Sequence, residues 1–286
     1  MTKKTVAVIG AGTMGAGIAQ VFARVGYDVR LIDQSPRALD DARARINDSL
    51  GRFAAKGQLP HDEVARTAAR IHPSTTLADA ADAEIVIEAI IEDPAAKRAL
   101  LAELDRLALP HALLASNTSS VSITELAAAT GRPDRVLGMH FMNPVPLMSL
   151  VELIRGHSTS AATMARAGEI CVELGKTPVE SADYPGFIAN RILMPMINEA
   201  IYAVMEGVGT PEAIDTVLRL GANHPMGPLQ LADLIGLDVC LAILTVLHDG
   251  LGDSKYRPCP LLRRMVAAGQ LGRKSGRGFH DYSQPA

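Results

Sequence analysis

Two ionisable side chains stand out in an otherwise apolar stretch of the chain. The segment LGMHFMNPVPLMSLVELI, residues 137–154, carries one imidazole, His140, and twelve residues later one carboxylate, Glu152. An unpaired buried charge is costly, so ionisable groups in such a segment are normally paired, and a pair of this kind in a cleft is a candidate for acid–base chemistry. A lone histidine is more often a hydrogen-bonded core or surface residue, so the rest of the chain has to decide between the two interpretations.

A glycine-rich turn near the start of the chain is typical of dinucleotide binding. The segment VAVIGAGTMGAG has Gly10, Gly12 and Gly15 in G-x-G-x-x-G spacing, directly after a predicted strand and at the start of a predicted helix. The first glycine permits the tight turn, the second lets the backbone approach a pyrophosphate, and the third allows close packing of helix on strand. The first helical N–H groups, from Thr13 and Met14 onward, would face the phosphates.

The next predicted strand, VRLID, ends in a carboxylate that favours NAD. Asp33 lies eighteen positions beyond Gly15, where an acidic side chain can accept hydrogen bonds from a ribose 2′-hydroxyl. The same carboxylate would repel the 2′-phosphate of NADP. Arg30 and Arg37 are near enough in sequence to soften that preference, but arginines of this kind are more often solvated surface charges. FAD is the competing dinucleotide, but a nearby acid–base group suits the hydride chemistry of NAD better.

Two polar clusters follow predicted strands and lie where ligands of α/β sheets bind. They are SNTSS, residues 116–120, and HFMNP, residues 140–144. In open α/β sheets, ligands bind at the carboxyl ends of the strands. Since Ser122 and Glu125 already form a helix-capping box, the polar groups of Asn117, Thr118 and Ser119 are available to hydrogen-bond a substrate alcohol.

The order of apolar patterns predicts two domains. Short β-branched runs alternate with helical patterns through the first two thirds of the chain, which indicates βαβ units on a parallel sheet. Beyond DYPGF, residues 183–187, we find helical patterns and no convincing strand. We therefore predict a Rossmann-type, doubly wound α/β domain over residues 1–183 and an all-helical substrate and dimerisation domain over 184–286. Pro195 should kink the first helix of the second domain, which is apolar on nearly every face.

Composition excludes several classes of protein. The 286 residues carry a net charge of -3 with both signs interleaved, which offers no basic stripe for nucleic acid or an anionic membrane. The apolar run at the N-terminus is too short for a signal peptide. Three widely spaced cysteines predict reduced thiols and a cytoplasmic protein, and no histidine spacing suggests a metal site.

Taken together, the motifs resemble the L-3-hydroxyacyl-CoA dehydrogenases, and in length and layout the bacterial 3-hydroxybutyryl-CoA dehydrogenases. The resemblance covers essentially the whole chain, with seven motifs in the same order: VAVIGAGTMGAGIAQ, VIEAIIED, ASNTSSVSITELA, GMHFMNPVPLMSLVELI, DYPGFIANRI, HPMGPLQLADLIGLD and GRKSGRGFHDY. It implies a two-domain homodimer that oxidises the 3-hydroxyl of an acyl-CoA with NAD.

The resemblance also implies residue roles. The catalytic pair of the family falls on His140 and Glu152, its serine on Ser119 and its asparagine on Asn190. The cofactor contacts of the family fall on Asp33, Glu92, Lys97, Ser119, Asn143 and Lys274. Its substrate and CoA contacts fall on Ser119, Ser49 and Lys56, although a lysine on a helix surface is as often a solvated charge.

Three alternatives remain open at this point. The chain could act on 3-hydroxyadipyl-CoA, on a free hydroxy or sugar acid, or be a catalytically silent NAD-binding protein. Met142 stands where an aromatic residue is common in the family and Tyr184 where threonine is common. Both could reshape the acyl pocket, so the resemblance leaves the acyl-chain length and the pathway open.

Overall fold

The structure, a computed structural model, describes residues 4–283 and divides the chain into two compact units, the first ending at Tyr184 and the second beginning at Pro185. Within the described residues the first unit holds one eight-stranded sheet. Its strands are β1 (Thr5–Ile9), β2 (Asp28–Ile32), β3 (Ile71–Ser74), β4 (Ile85–Glu88), β5 (Leu113–Ser116), β6 (Val136–Phe141), β7 (Leu150–Arg155) and β8 (Thr177–Ala182).

The strand order creates a binding crevice between β1 and β4. The order across the sheet is β3-β2-β1-β4-β5-β6-β7-β8, and the strands from β1 to β6 are mutually parallel. The chain winds outward from β1 to β3 and then returns to build the other half from β4. Such a reversal opens a crevice at the carboxyl ends of the strands. The predicted Rossmann-type sheet is therefore confirmed.

The last two strands run against the others, which the sequence did not predict. β7 pairs antiparallel with β6, and β8 pairs parallel with β7. Because β7 reverses direction, the first residue of β7 lies beside the carboxyl end of β6. Side chains near the end of β6 are therefore brought next to side chains near the start of β7.

Helices cover the sheet of the first unit. They are α1 (Thr13–Arg24), α2 (Pro36–Ala55), α3 (His61–Ala69), α4 (Pro94–Leu107), α5 (Ile123–Ala127) and α6 (Ala161–Glu173). Local sequence sets their starts, since the side chains of Ser35, Asp93 and Ser122 accept the N–H of the residue three positions on. Buried strand residues pack with α1, α2 and α6 in one apolar core, in which Phe22 meets Tyr27 edge to face with ring centroids 5.1 Å apart.

The second unit is helical in its described part, as the sequence predicts. Its helices are α7 (Ala189–Met205), α8 (Pro211–Gly221), α9 (Pro228–Ile235), α10 (Leu237–Leu251) and α11 (Pro260–Ala267). Its core is formed mainly by α7, α9, α10 and α11. Pro195 lies inside α7, where it has no N–H to donate, so the backbone of α7 lacks one helical hydrogen bond there.

Burial affects the ionisation of the cysteine thiols. All three cysteines, Cys171, Cys240 and Cys259, are free and buried, and burial raises the pKa of both Cys171 and Cys240 to about 12.

Among residues 4–283 no single helix is long and apolar enough to cross a membrane, although α9 and α10, bent by 99° where they join, reach that length and hydropathy as a pair.

Candidate active site

The antiparallel register of β6 and β7 places the two ionisable side chains of the apolar segment opposite each other. His140 pairs with Glu152 across the strands, and directly opposite residues of an antiparallel pair present their side chains on one face. The distance from His140 Nδ1 to Glu152 Oε2 is 2.8 Å, and only 1% of Glu152 is exposed. A buried carboxylate accepts but does not donate, so it holds the proton on Nδ1 and leaves Nε2 as the acceptor.

The acceptor nitrogen faces a serine from the neighbouring strand end. Ser119, in the turn after β5, places its Oγ 3.1 Å from His140 Nε2. The hydroxyl of Ser119 therefore donates to the imidazole, and the two atoms together mark a position where an alcohol or carbonyl oxygen can bind. The structure thus brings together three residues that the sequence singled out from segments far apart in the chain.

The two residues before Ser119 have side chains that hydrogen-bond to other parts of the protein. Asn117 Oδ1 accepts the backbone N–H of Phe141 at 2.9 Å, which ties the end of β5 to the end of β6 beside His140. Thr118 Oγ1 donates to Glu92 at 2.6 Å and accepts the N–H of Val121. The expectation that all three polar side chains are available to a substrate is therefore too broad, because two of them have structural partners.

Glu92 organises the turn that carries Ser119. Its Oε1 accepts the N–H of Ser119 at 2.8 Å and the N–H of Ser120 at 3.0 Å. Burial raises the pKa of Glu92, but the ammonium of Lys97 and the hydrogen bonds from Thr118 and Ser119 outweigh burial and hold that pKa below its usual value. A carboxylate that stays ionised keeps accepting these bonds, so the turn is fixed around it.

Lys97 lies between two carboxylates at the base of this turn. Its ammonium is 2.6 Å from Glu88 Oε1 and 3.1 Å from Glu92 Oε2, and the side chain is 1% exposed. Glu88, which is fully buried at the end of β4, also accepts from Ser116 Oγ. Sequence reasoning missed Glu88, although a carboxylate in the apolar run EIVIEAI is the same signal that drew attention to His140.

Packing permits only glycine at two of the three positions of the glycine turn. A Cβ on Gly10, whose φ is +106°, would lie 2.4 Å from the carbonyl oxygen of Ala89, and a Cβ on Gly15 would lie 1.8 Å from that of Gly10. At Gly12 an added Cβ would meet nothing within 4 Å. Two of the glycines are thus required by packing, whereas Gly12 borders open space in front of the first-turn N–H groups of α1, which have no acceptor within the helix.

Asp33, directly after β2, is held by two backbone N–H groups. Its Oδ2 accepts the N–H of Ala11 at 2.8 Å and its Oδ1 accepts the N–H of Ser35 at 2.9 Å. Both oxygens retain lone pairs for further donors. Arg30 donates instead to Asp82 at 3.1 Å, which supports its interpretation as a surface charge. The residues around the turn therefore fit NAD.

Five predicted contacts lie elsewhere in the two units. Asn143 and Ser49 line a cleft of the first unit between α1 and α2, and Lys56 is exposed at the end of α2. In the second unit, Asn190 is 8% exposed in the first turn of α7, and Lys274 donates to Asp238 at 2.7 Å.

The chain matches known proteins over nearly its full length. The model of the 3-hydroxyacyl-CoA dehydrogenase NAD binding domain matches residues 5–184, and that of the C-terminal domain matches residues 186–282. The chain is 58% identical to the "Probable 3-hydroxybutyryl-CoA dehydrogenase" of Bacillus subtilis (strain 168) over 284 residues, which cover 99% of each chain. It is 55% identical to the 3-hydroxybutyryl-CoA dehydrogenase of Bradyrhizobium diazoefficiens over 279 residues, covering 98% of this chain and 95% of the relative.

A solved structure agrees with both sequence matches. The crystal structure of (S)-3-hydroxybutyryl-CoA dehydrogenase PaaH1 from Ralstonia eutropha superposes with a TM-score of 0.95 at 49% identity, covering 99% of this chain and all of that one. These matches extend over both units and include the glycine turn and the segments that carry His140, Glu152 and Ser119. The chain therefore belongs to the 3-hydroxyacyl-CoA dehydrogenase family of NAD-dependent oxidoreductases.

Proposed function

We propose that the protein reversibly oxidises the 3-hydroxyl of a short-chain (S)-3-hydroxyacyl-CoA, with 3-hydroxybutyryl-CoA as its substrate, to the 3-ketoacyl-CoA. The observation that carries this proposal is the hydrogen-bonded row of Glu152, His140 and Ser119 near the carboxyl ends of β5 and β6. Such a row suits the removal of a proton from an alcohol. The names of the relatives from Bacillus subtilis and Ralstonia eutropha support the short acyl chain.

In the oxidation, His140 Nε2 takes the proton of the 3-hydroxyl while Ser119 Oγ hydrogen-bonds the same oxygen. Glu152 keeps the imidazole in the tautomer whose Nε2 is free of a proton and stabilises the positive charge once the proton has arrived. When bound, NAD supplies the acceptor for the hydride that leaves C3. In the reverse direction the imidazolium of His140 returns its proton to the oxygen.

The remaining site residues take binding roles in this proposal. Gly10, Gly12, Thr13, Met14 and Gly15 would form the pyrophosphate turn, and Asp33 would accept from the ribose hydroxyls. Glu92, Lys97, Asn143 and Lys274 would complete the cofactor site. Because Lys97 is so deeply buried, its effect on the cofactor would pass mainly through Glu92.

Three further residues take substrate-binding roles in this proposal. We assign Asn190 to the carbonyl of the substrate, and Ser49 and Lys56 to its CoA portion. The first unit would thus bind NAD, and the second would act in substrate binding and dimerisation.

The experiment that tests the function is an assay of NADH oxidation by the purified protein with acetoacetyl-CoA. Parallel reactions use NADPH, free acetoacetate and 3-ketoadipyl-CoA. Rapid turnover that requires both NADH and the four-carbon thioester supports the proposal. Preference for the dicarboxylic thioester or for free acetoacetate would show that 3-hydroxybutyryl-CoA is not the substrate. NADH binding without any turnover would indicate a silent binding protein.

We also propose a homodimer formed through the second unit, because apolar side chains there lie exposed. Val217 and Leu220 on α8 and Val208 before it are 64%, 75% and 76% exposed. Val217 also lines an apolar groove between α7 and α8, to which α7 contributes Met196 and Ala203. Exposed apolar side chains grouped beside an apolar groove are typical of a protein–protein interface, so a second copy of the chain is the expected occupant.

The mass in solution tests the dimer directly. The 30.3 kDa chain should elute at twice its mass in light scattering after gel filtration, and Val217→Asp should shift it toward the monomer. A wild-type monomer at micromolar concentration would contradict the proposal. The buried reduced thiols support a cytoplasmic location, which is the last part of the proposal.

A further inference from the structure

The tail of the second unit, residues 278–282, is bound to one buried carboxylate. Asp233 on α9 is only 1% exposed. Its Oδ1 accepts the backbone N–H of Phe279 at 3.0 Å, and its Oδ2 accepts the N–H of His280 at 2.9 Å and the hydroxyl of Tyr282 at 3.1 Å. A buried carboxylate is costly unless donors surround it, so these three hydrogen bonds hold the tail on α9.

The chain also passes closely over Asp233 at two glycines. A Cβ on Gly278 would lie 1.9 Å from Asp233 Oδ1, and a Cβ on Gly272 would lie 2.3 Å from the backbone carbonyl oxygen of Asp233. The φ of Gly272 is +88°, a conformation that other residues rarely adopt. The stretch from Gly272 to Gly278 is therefore packed against Asp233 at both of its ends.

A second buried carboxylate ties the tail to α8. Asp215 is 5% exposed and accepts the N–H groups of Leu229 and Gln230, at 2.8 and 3.0 Å, in the first turn of α9. Gly227, directly before α9, has no side chain to cap that turn, so Asp215 supplies the acceptors. The Nε2–H of His280 donates to Asp215 Oδ2 at 2.7 Å. The carboxylate that caps α9 thus also fixes the tail.

The turn between the two glycines carries Lys274. It is one short 3₁₀ helix, and Tyr282 holds it from the tail. The N–H of Tyr282 donates to the carbonyl of Gly276 at 2.9 Å, and the guanidinium of Arg273 lies 5.3 Å from the centroid of the Tyr282 ring. Since the hydroxyl of Tyr282 is bound to Asp233, the backbone around Lys274 is fixed through that buried carboxylate.

The side chain of Lys274 is much freer than its backbone. It is 46% exposed, and its ammonium lies 2.7 Å from Asp238 Oδ2. We refer to Asp233, Asp215, His280 and Tyr282 together as the tail clamp. Resting on the function proposed above, which assigns Lys274 to the cofactor, we propose that the tail clamp positions Lys274 for NAD binding. A cation on a fixed backbone loses less conformational freedom when it binds, so the clamp strengthens NAD binding without contacting NAD.

A double-mutant cycle with Lys274 separates positioning from stability. The affinity for NADH is measured by fluorescence titration of the whole chain. Lys274→Met should raise the Kd for NADH about three- to tenfold, a modest loss because the side chain is half exposed. His280→Phe removes the bond to Asp215 and keeps a ring, and Tyr282→Phe removes only the bond to Asp233. Each should raise that Kd about two- to fivefold in the wild-type background.

In the Lys274→Met background, neither His280→Phe nor Tyr282→Phe should change the Kd for NADH by more than about 1.5-fold, because the contact that they position is already absent. His280→Gln keeps a donor for Asp215 and should stay within about twofold of the wild-type Kd. In steady state, both phenylalanine variants should raise the KM for NADH and leave kcat and the KM for acetoacetyl-CoA within about twofold.

The matched control is His248→Phe in the same unit, where the imidazole is 39% exposed and pairs with Asp249. It should leave the affinity for NADH unchanged. Equal effects of the clamp variants in both backgrounds would make the clamp merely structural and overturn the inference, as would an unchanged Kd in both single variants. If His280→Phe melts too early to be titrated, Tyr282→Phe, the smaller change, gives the same test.

NADH titration does not depend on turnover, so the inference and the proposed function fail separately. An unchanged Kd in Lys274→Met overturns the inference whatever the reaction, because no contact remains to be positioned. Coupling in the cycle without turnover of acetoacetyl-CoA would leave the clamp standing and the reaction wrong. Rapid turnover of acetoacetyl-CoA with additive effects in the cycle would leave the reaction standing and refute the clamp.

Discussion

Replacing Glu152 by glutamine tests the acid–base row with little change of shape. The substitution removes the charge that stabilises protonated His140 across the 2.8 Å contact. Loss of a hydrogen bond to a charged group costs about 1.5–3 kcal/mol, or roughly 10- to 100-fold in rate. The new amide can also donate to Nδ1, which would leave the proton on Nε2 and block the base. Together we expect kcat to fall by roughly 10²–10⁴-fold, where the upper limit is the loss of about 10⁴-fold that follows when the orienting aspartate of a catalytic triad becomes asparagine.

The assay is steady-state NAD reduction with saturating 3-hydroxybutyryl-CoA, the direction in which His140 acts as the base, together with thermal melting and NADH binding. Both the melt and the affinity for NADH should stay near the wild-type values, because Glu152 lies opposite His140 and not at the glycine turn. Glu180→Gln is the matched control: Glu180 lies on the adjacent strand β8, pairs with Arg155 and is half exposed, so kcat should change less than about twofold. A folded Glu152→Gln protein with kcat within threefold of wild type would refute the assigned role.

Four further predictions concern separate parts of the first unit and the thiols. Ser119→Ala should lower kcat/KM for acetoacetyl-CoA roughly 10- to 100-fold because one hydrogen bond to the reacting oxygen is lost, and unchanged kinetics would contradict that contact. Gly12→Val should weaken NADH binding, measured by fluorescence titration, without lowering the melting temperature, since open space surrounds Gly12. Gly15→Ala should instead destabilise the fold, because its Cβ would lie 1.8 Å from a carbonyl oxygen, and an unchanged melting temperature would show this reasoning to be wrong. The three buried cysteines should not react with a thiol reagent at pH 8 in the native protein and should all react after denaturation, so a fast native thiol would contradict their burial.

Local features of this protein could be predicted from the sequence. The glycine spacing, the following carboxylate Asp33 and the capping residues Ser35 and Asp93 act within a few residues of their targets or within one βαβ unit. Each of these signals depends on backbone geometry that the neighbouring residues impose, so tertiary context had little to change. The alternation of apolar patterns was equally informative about the sheet and the helical second unit.

Contacts between distant segments could not be predicted in the same way. The buried ion pair of Glu88 with Lys97 joins the end of a strand to a helix, and nothing in the sequence indicates which carboxylate the ammonium meets. The sequence likewise offered three polar side chains after β5, and packing decided that Ser119 faces His140 while Thr118 turns to Glu92.

The sequence by itself determined that an imidazole and a carboxylate occur in one apolar segment after a dinucleotide-binding turn. Only the tertiary structure decided that they meet, because β7 reverses direction and pairs with β6 in the register that sets Glu152 opposite His140. Side chains alternate between the two faces of a sheet, so a shift of one residue in that register would move the carboxylate to the other face. Register is set by pairing between strands and by burial of whole faces, which short sequence patterns do not encode.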